Sequence, residues 1–506
     1  MGNVMQMTAS HSDQNQWTAS KQYNELGQEI ERILPGDVIS KWQYDITGRP
    51  THHRVRSQNR DTRRRVYNWD VNHRLRSMGN ELTGVKVTYG YDEFSNLVWA
   101  NQDSQFDFLY RSVDDVGNLY ETREKSDRVY GPGSRLLETK DAKFSYDEEG
   151  NLIEKVENNG DTWKYEYYGN GMMAKVIKPD NSEVTFKYDT LGRRIEKSTE
   201  EKMMRFVWDG NTILHEYDSA KLENQVESEN KSDTTDNLVT WVFNDGFVPS
   251  AKITSEGHYS IISDYLGTPV EAYDDEGNKV WSAELDVYGR VKEFTGEKDF
   301  IPFRYQGQYE DTDTGLYYNR FRYYSPSEGM YTQVDPIGLA GENPTLYGYV
   351  QDTNVWLDVF GLNTAKGDAA ENAFEALLKK RGYNIYMTIK NNSNHGTDII
   401  AQNPFTKKVF VFEVKANTAR LSKKQKGNNY IKDIFDEVYN RRTLRGQKID
   451  PKIVSTVKTI RDDINKYGMS SFEVKYSVTH GSNGYTAKLK KLRHGAKIDP
   501  KKEFLY

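Results

Sequence analysis

The chain has 506 residues, 36% of them hydrophobic, with 35 tyrosines, no cysteine and a formal net charge of −6. That length predicts several domains rather than one. The missing cysteines exclude disulfides, thiolate chemistry and cysteine-ligated zinc, and no run approaches the roughly 18 apolar residues needed to cross a bilayer. Residues 1–20 are polar and hold no apolar signal core, so export is expected to proceed without a cleaved signal peptide, or this chain is a piece of something longer.

An imperfect repeat runs through the first 210 residues. Its anchor is an aromatic residue, Asp, two variable residues, then Gly and Asn or Arg. It reads Tyr44-Asp-Ile-Thr-Gly-Arg49, Tyr91-Asp-Glu-Phe-Ser-Asn96, Tyr146-Asp-Glu-Glu-Gly-Asn151 and Tyr188-Asp-Thr-Leu-Gly-Arg193. Weaker copies stand at Trp69-Asp70, Tyr167-Tyr168-Gly-Asn170 and Trp208-Asp209-Gly-Asn211. From Tyr146 onward the anchors are spaced 21, 21 and 20 residues apart. A fixed period near 20 predicts a repeat architecture. Asp caps its own turn and Gly takes the positive φ, while flanks such as Thr162-Trp-Lys-Tyr-Glu-Tyr167 alternate. Each repeat therefore predicts a hairpin, and the array a long sheet rich in tyrosine. Residues 219–237 are rich in Ser, Glu, Asn and Lys and predict a surface excursion. Sheet patterning resumes at Leu238-Val-Thr-Trp-Val-Phe243.

Residues 301–362 differ again, being dense in Tyr, Arg, Gly and Pro. They hold Arg304-Tyr-Gln-Gly-Gln-Tyr309, Thr314-Gly-Leu-Tyr-Tyr-Asn-Arg-Phe-Arg-Tyr-Tyr324, Asp335-Pro-Ile-Gly-Leu339 and Leu346-Tyr-Gly-Tyr349. This set resembles the closing part of the Rhs core, and the repeat resembles the YD repeats of the same family; together they cover about residues 40–362. The resemblance implies a polymorphic toxin, in which a closed all-β shell (1–300) and a core-terminal segment (301–362) precede a variable toxin domain (363–506). It also implies cleavage by the core's own aspartates, between Leu362 and Asn363. Asp335 and Asp358 occupy the matching positions, and Asp358-Val-Phe-Gly-Leu362 carries Val359 where the family has Pro. The chemistry implied is that of two carboxylates sharing a proton, one acting as acid and one as base.

A third composition begins at Asn363. Residues 363–506 carry 29 Lys and Arg against 14 Asp and Glu, whereas the rest of the chain carries 40 against 61. A basic segment can bind phosphates and an acidic one can mask it. The informative stretch is Gly396-Thr-Asp-Ile-Ile-Ala followed by Val409-Phe-Val-Phe-Glu-Val-Lys415. Glu413 and Lys415, two apart on a strand, share a face. Asp398, at the end of the preceding strand, is expected to reach them across the turn at Asn403-Pro404. Two carboxylates and a lysine on an apolar strand suit a hard divalent cation and metal-assisted attack of water on a phosphodiester. Residues 367–381 predict an apolar-faced helix that ends at Gly382.

This segment resembles PD-(D/E)XK nucleases, an α/β fold, although Thr397 replaces the Pro of that name. The resemblance implies Asp398, Glu413 and Glu371 as ligands for Mg²⁺ or Mn²⁺, with Glu375 one helical turn after Glu371. It further implies Lys415 on the attacking water and Gln425 near the site. The lysine-rich runs at 423–426 and 488–493, with Arg441, Arg442 and Arg445, would then hold the phosphate backbone. No histidines fall at ligand spacing, so His395 and His480 do not compose a histidine-metal site. The expected partners are DNA in preference to RNA, a cognate immunity protein and a secretion component, with delivery into a target-cell cytoplasm. The competing readings are a tRNA or other RNA nuclease, and a non-enzymatic protein whose YD array contacts carbohydrate.

Overall fold

The aspartate of each repeat closes its own turn. Asp45 Oδ1 accepts the backbone N–H of Thr47 at 2.9 Å and of Arg49 at 3.0 Å, and Oδ2 accepts Arg49 Nε at 2.7 Å. Gly48 sits at φ 87°, where any Cβ would be penalised. The same carboxylate bonding recurs at Asp70–Arg74, Asp92–Asn96, Asp147–Asn151 and Asp189–Arg193. It also recurs at Asp114–Asn118, Asp264–Thr268, Asp274–Asn278 and Asp286–Arg290. The repeat therefore does not stop near residue 210. Tyr273-Asp-Asp-Glu-Gly-Asn278 is a full copy of the anchor, legible in the sequence and missed.

The aromatic residue before the aspartate ties each turn to the one before. Tyr44, Tyr91, Tyr167 and Tyr188 donate their hydroxyls to the carbonyls of Glu29, Leu75, Leu152 and Met173 at 2.8–2.9 Å. Trp69 and Trp208 donate their indole N–H to Pro50 and Arg194 at 2.7 Å. Each acceptor is the residue just after the preceding turn, and a register shift immediately before the aromatic turns its ring toward it. The period near 20 residues is the length of chain between two such ties. Tyr167→Phe is expected to destabilise the fold by about 1 kcal/mol, read as an earlier urea midpoint. An unmoved midpoint would take the hydroxyl out of this account.

The structure, a computed structural model, describes residues 3–11, 15–103, 108–219, 237–244, 246–338 and 345–362. Beyond these it describes 384–390, 396–402, 407–416, 443–444, 447–448, 457–460, 462–464, 466, 469–478 and 485–491. One compact unit is built from Val4–Asn363 and a second from Thr364–Thr479 with Asn483–Tyr506. The predicted excursion at 219–237 falls almost wholly outside the described residues.

In the first unit ten antiparallel strands, Gln6–His11 to Phe108–Tyr110, form one sheet in chain order. Sixteen more, Arg128–Tyr130 to Val291–Thr295, form another. Their faces pack together: Trp17, Leu34, Val38 and Val55 meet Ala251, Ile253, Ile262 and Tyr273, and Trp17 Nε1 donates to Ser260 Oγ at 2.9 Å. The segment after residue 301 forms a four-stranded sheet from Tyr309–Asp311 to Met330–Tyr331. It lays Leu316, Tyr318, Tyr323 and Tyr347 on Phe144, Val176, Val184 and Phe186 of the long sheet.

The second unit has a mixed five-stranded sheet. Asn384–Lys390, Gly396–Gln402 and Val409–Ala416 form an antiparallel meander. Met469–Val478 then pairs parallel to Val409–Ala416, and Tyr485–Lys491 antiparallel to it. A parallel neighbour requires a long crossover, which residues 417–468 supply, with helical residues at 457–460 and 462–464. Val409, Val411, Ile400, Val457 and Ile460 are buried. The predicted helix over 367–381 lies outside the described residues. Among the described residues no helix is long and apolar enough to cross a membrane.

Candidate self-processing centre and candidate nuclease strands

Asp335 and Asp358 share one guanidinium nitrogen. Arg322, on the strand Arg322–Ser325, places Nη2 2.9 Å from Asp335 Oδ2 and 3.3 Å from Asp358 Oδ2. The two carboxyl oxygens are therefore no farther apart than the sum of those distances. Arg322, Asp335 and Asp358 are 1%, 4% and 2% exposed. Buried charges survive only when paired and hydrogen-bonded, and here each is. Asp335 Oδ1 accepts the N–H of Ile337 at 3.0 Å, fixing the turn through Pro336.

Asp358 reuses the repeat's turn chemistry: its Oδ1 accepts the N–H of Leu362 at 3.0 Å, and Gly361 takes φ 65°. The segment is clamped from both sides. Asn319 Nδ2 donates to the carbonyl of Asp358 at 2.8 Å, Phe321 N–H to that of Phe360 at 3.3 Å, and Arg322 Nε to that of Gly361. A Cβ on Gly361 would stand 2.4 Å from the Asn319 carbonyl oxygen, and one on Gly307 2.2 Å from that of Val359. Glycine is required at both places for this close approach.

Burial pushes the Asp335 carboxyl up to about 6; the Arg322 charge pulls it down and the Asp358 charge pushes it up again. Two carboxyls joined through one cation, one of them with its pKa raised, have the makings of an acid–base pair. Of the predicted residues, Asp335, Asp358 and Leu362 are brought together, while Asn363 lies outside the described residues. Arg322 was not singled out beforehand, nor were Tyr331 and Asn319, which bond to Asp358 as well. The available signal was a pair of arginines two apart, in Asn319-Arg-Phe-Arg322, inside a tyrosine-rich stretch.

In the second unit, carrying the antiparallel register one residue past the Ile399–Phe412 pair sets Asp398 level with Glu413. The expected meeting across the Asn403-Pro404 turn needs correcting. Asp398 lies near the start of its strand Gly396–Gln402 and Glu413 near the end of Val409–Ala416, so they align at the open end of the hairpin. The parallel neighbour adds residues that the sequence reading missed: Glu473 pairs with Glu413 and Lys475 with Lys415. Phe-Glu-Val-Lys occurs at 412–415 and again at 472–475, a duplication visible in the sequence. Lys490 and Lys488 pair with Glu473 and Lys475 on the other side. Glu371 and Gln425 lie outside the described residues. Among the described residues no three His, Asp or Glu side chains converge in the manner of a metal site, so the case for a cation rests on the donor chemistry of these strands.

The Teneurin YD-shell family model matches residues 22–337, well over half of the chain. The chain is an Rhs/YD-repeat protein. This Rhs/YD-repeat chain is 29% identical over 319 residues to the Double-stranded DNA deaminase toxin A of Burkholderia cenocepacia, covering 59% of this chain and 22% of that protein. It is 27% identical over 363 residues to the Probable deoxyribonuclease RhsA of Dickeya dadantii, covering 67% and 24%. It is 26% identical over 281 residues to the tRNA nuclease WapA of Bacillus subtilis, covering 54% and 10%. The chain thus spans about a quarter or less of the length of these relatives. Among solved structures, that of a Photorhabdus luminescens Tc holotoxin pore matches with a TM-score of 0.48 and 17% identity, over 71% of this chain and 20% of that one.

Proposed function

We propose that this Rhs/YD-repeat chain is a toxin that cuts itself after Leu362 and whose segment 363–506 is a metal-dependent nuclease acting on DNA. The observation that carries the first part is the pair of buried aspartates sharing Arg322, with the Leu362 N–H bonded to Asp358. One aspartate takes a proton from water as its oxygen attacks the Leu362 carbonyl carbon. The other returns a proton to the nitrogen of Asn363 as the C–N bond breaks. Arg322 holds both carboxyls in a single geometry, and the buried setting favours keeping one of them protonated near pH 6.

The second part is supported by the register of Asp398 with Glu413 and by Glu413-x-Lys415 on one strand. The mixed sheet of a meander plus a parallel fourth strand agrees with a PD-(D/E)XK fold. The names of two relatives, a probable deoxyribonuclease and a tRNA nuclease, point to the same class of chemistry. Asp398 and Glu413, with Glu371, would hold Mg²⁺ or Mn²⁺, for which a hard oxygen set is suited. The ion would supply an acidified water and charge neutralisation at phosphate. Lys415 would orient that water, and the 29 basic residues of 363–506 would hold the phosphodiester backbone. Such a toxin requires a cognate immunity protein in its own cell and a delivery route into the target cytoplasm.

The full chain, incubated with plasmid DNA and with total tRNA, is expected to degrade the plasmid with Mg²⁺ and not with EDTA. Loss of tRNA alone would keep the mechanism and change the target, the reading that the tRNA nuclease relative favours. Deamination of bases in intact double-stranded DNA would replace the reading with that of the deaminase toxin. Intact plasmid and tRNA under every condition would leave the non-enzymatic reading as the better one.

A further inference from the structure

Two aspartates that share a cation need something to tell them apart, and their donors differ. Asp335 accepts from the Ile337 N–H and Arg322. Asp358 accepts from the Leu362 N–H, from Arg322, and also from the hydroxyl of Tyr331 at 2.8 Å. That hydroxyl is not free to turn away. Asn319 Nδ2 donates to it at 2.7 Å, and so occupies its oxygen and commits its proton to Asp358. The same Nδ2 donates to the Asp358 carbonyl, so side chain and backbone of Asp358 are registered by one amide. The Tyr331 ring lies under the Arg322 guanidinium at 3.7 Å. Burial and the Asp358 charge hold the Tyr331 hydroxyl well above its usual range, so it remains a donor at every relevant pH. Asn319 and Tyr331 are 0% and 1% exposed, and water does not compete for these bonds.

Resting on the self-processing reading above, we propose that Tyr331, oriented by Asn319, is a positioning residue that decides which aspartate carries the shared proton, keeping Asp358 as the base and Asp335 as the acid. A donor to the charged form of one carboxylate stabilises that form, and a partner lacking it takes the proton. Asp358 then removes a proton from the attacking water while the water oxygen bonds to the Leu362 carbonyl carbon. Asp335 gives its proton to the Asn363 nitrogen as that bond breaks. The other groups that face Asp358 are Arg322, Asp335 and Tyr349, with Arg111 and Tyr324 behind Tyr349. The Tyr349 hydroxyl oxygen accepts the Asp358 N–H at 3.5 Å, so that tyrosine serves the backbone of Asp358 while Tyr331 serves its carboxylate.

The test follows cutting of freshly synthesised full-length chains after a jump to each pH from 4 to 8, on a denaturing gel. Tyr331→Phe keeps the ring and removes the hydroxyl. It is expected to slow cutting roughly tenfold and to move the acid limb of the rate profile upward by about one pH unit, because the base has lost a donor to its charged form. Asn319→Ser, which frees the tyrosine hydroxyl, is expected to move the limb the same way by less, and provides a second route should Tyr331→Phe fold poorly. A merely structural role would lower the rate without moving the limb, and that result overturns the assignment. So does a wild-type profile in Tyr331→Phe while Asp335→Asn stays uncut, which leaves self-processing standing. Wild-type cutting in Asp335→Asn and Asp358→Asn would instead remove the whole centre, and the assignment with it.

Discussion

Asp335→Asn is expected to yield one uncut chain of 506 residues, where the proposed self-processing would separate the unaltered protein after Leu362. The amide keeps the shape of the carboxyl and can still accept the Ile337 N–H that fixes the turn. It cannot hold or release the proton that the departing nitrogen needs. Loss of a positioned acid costs roughly 10²–10⁴-fold, enough to leave the chain intact for the length of a purification. The same residue carries a pH signature. Its folded-state value of about 6 exceeds the ordinary value near 4. A raised carboxyl contributes stability that is fully present below the unfolded value and is lost as pH rises through the folded one. The contribution is therefore present below about pH 4 and gone above about pH 6, where the ionised group is a cost. An amide carries no such charge, so the variant should hold its melting temperature better than the unaltered chain on going from pH 4 to pH 8. Cutting in the unaltered chain should fall across the same window as the acid loses its proton. Complete processing of Asp335→Asn on the denaturing gel would take Asp335 out of the centre.

The hairpins were legible because the physics that makes them is local. An Asp capping its own turn, a Gly at positive φ four residues into the motif, and an aromatic in front are all within one short window. The sequence even carries the copies at Asp264, Asp274 and Asp286, which a reading confined to the first 210 residues passed over. What no local window shows is that the aromatic's partner is a carbonyl 14 to 19 residues upstream, or that Trp17 meets Ser260 across 243 positions. Such pairs depend on how two sheets lie face to face. The two aspartates that share Arg322 were legible by position. Their arrangement was not, since Arg322, Tyr331 and Asn319 are ordinary letters in a tyrosine-rich run until the segment 358–362 is laid beside them. In the second unit the Glu-x-Lys strand was evident, but strand order decides which residues stand in one row. A crossover of some fifty residues brings Glu473 beside Glu413, and nothing in the spacing announces it.

Glu413→Gln is expected to abolish the metal-dependent loss of plasmid, by roughly 10²–10³-fold or more, as removal of a single charge-stabilising group at a reacting phosphate does. The substitution keeps the side chain's length and removes its charge, so binding to the phosphate backbone through the basic residues should persist while hydrolysis fails. This separates catalysis from affinity: gel-shift of the plasmid remains and nicking disappears. The duplicated Phe-Glu-Val-Lys supplies the control. Glu473 stands on the parallel neighbour, at the same register level as Glu413, but on its other side from Asp398, whose strand pairs with Val409–Ala416. The proposed cation is assigned to the Asp398–Glu413 pair because the nuclease resemblance supplies those two carboxylates and none at Glu473. Glu473→Gln should therefore retain most of the nicking activity. If Glu473→Gln is inert and Glu413→Gln still nicks, the reacting strand is Met469–Val478 and the row has been read from the wrong copy. If both variants nick as the unaltered chain does, neither Glu-x-Lys supports hydrolysis, and the nuclease reading falls with them.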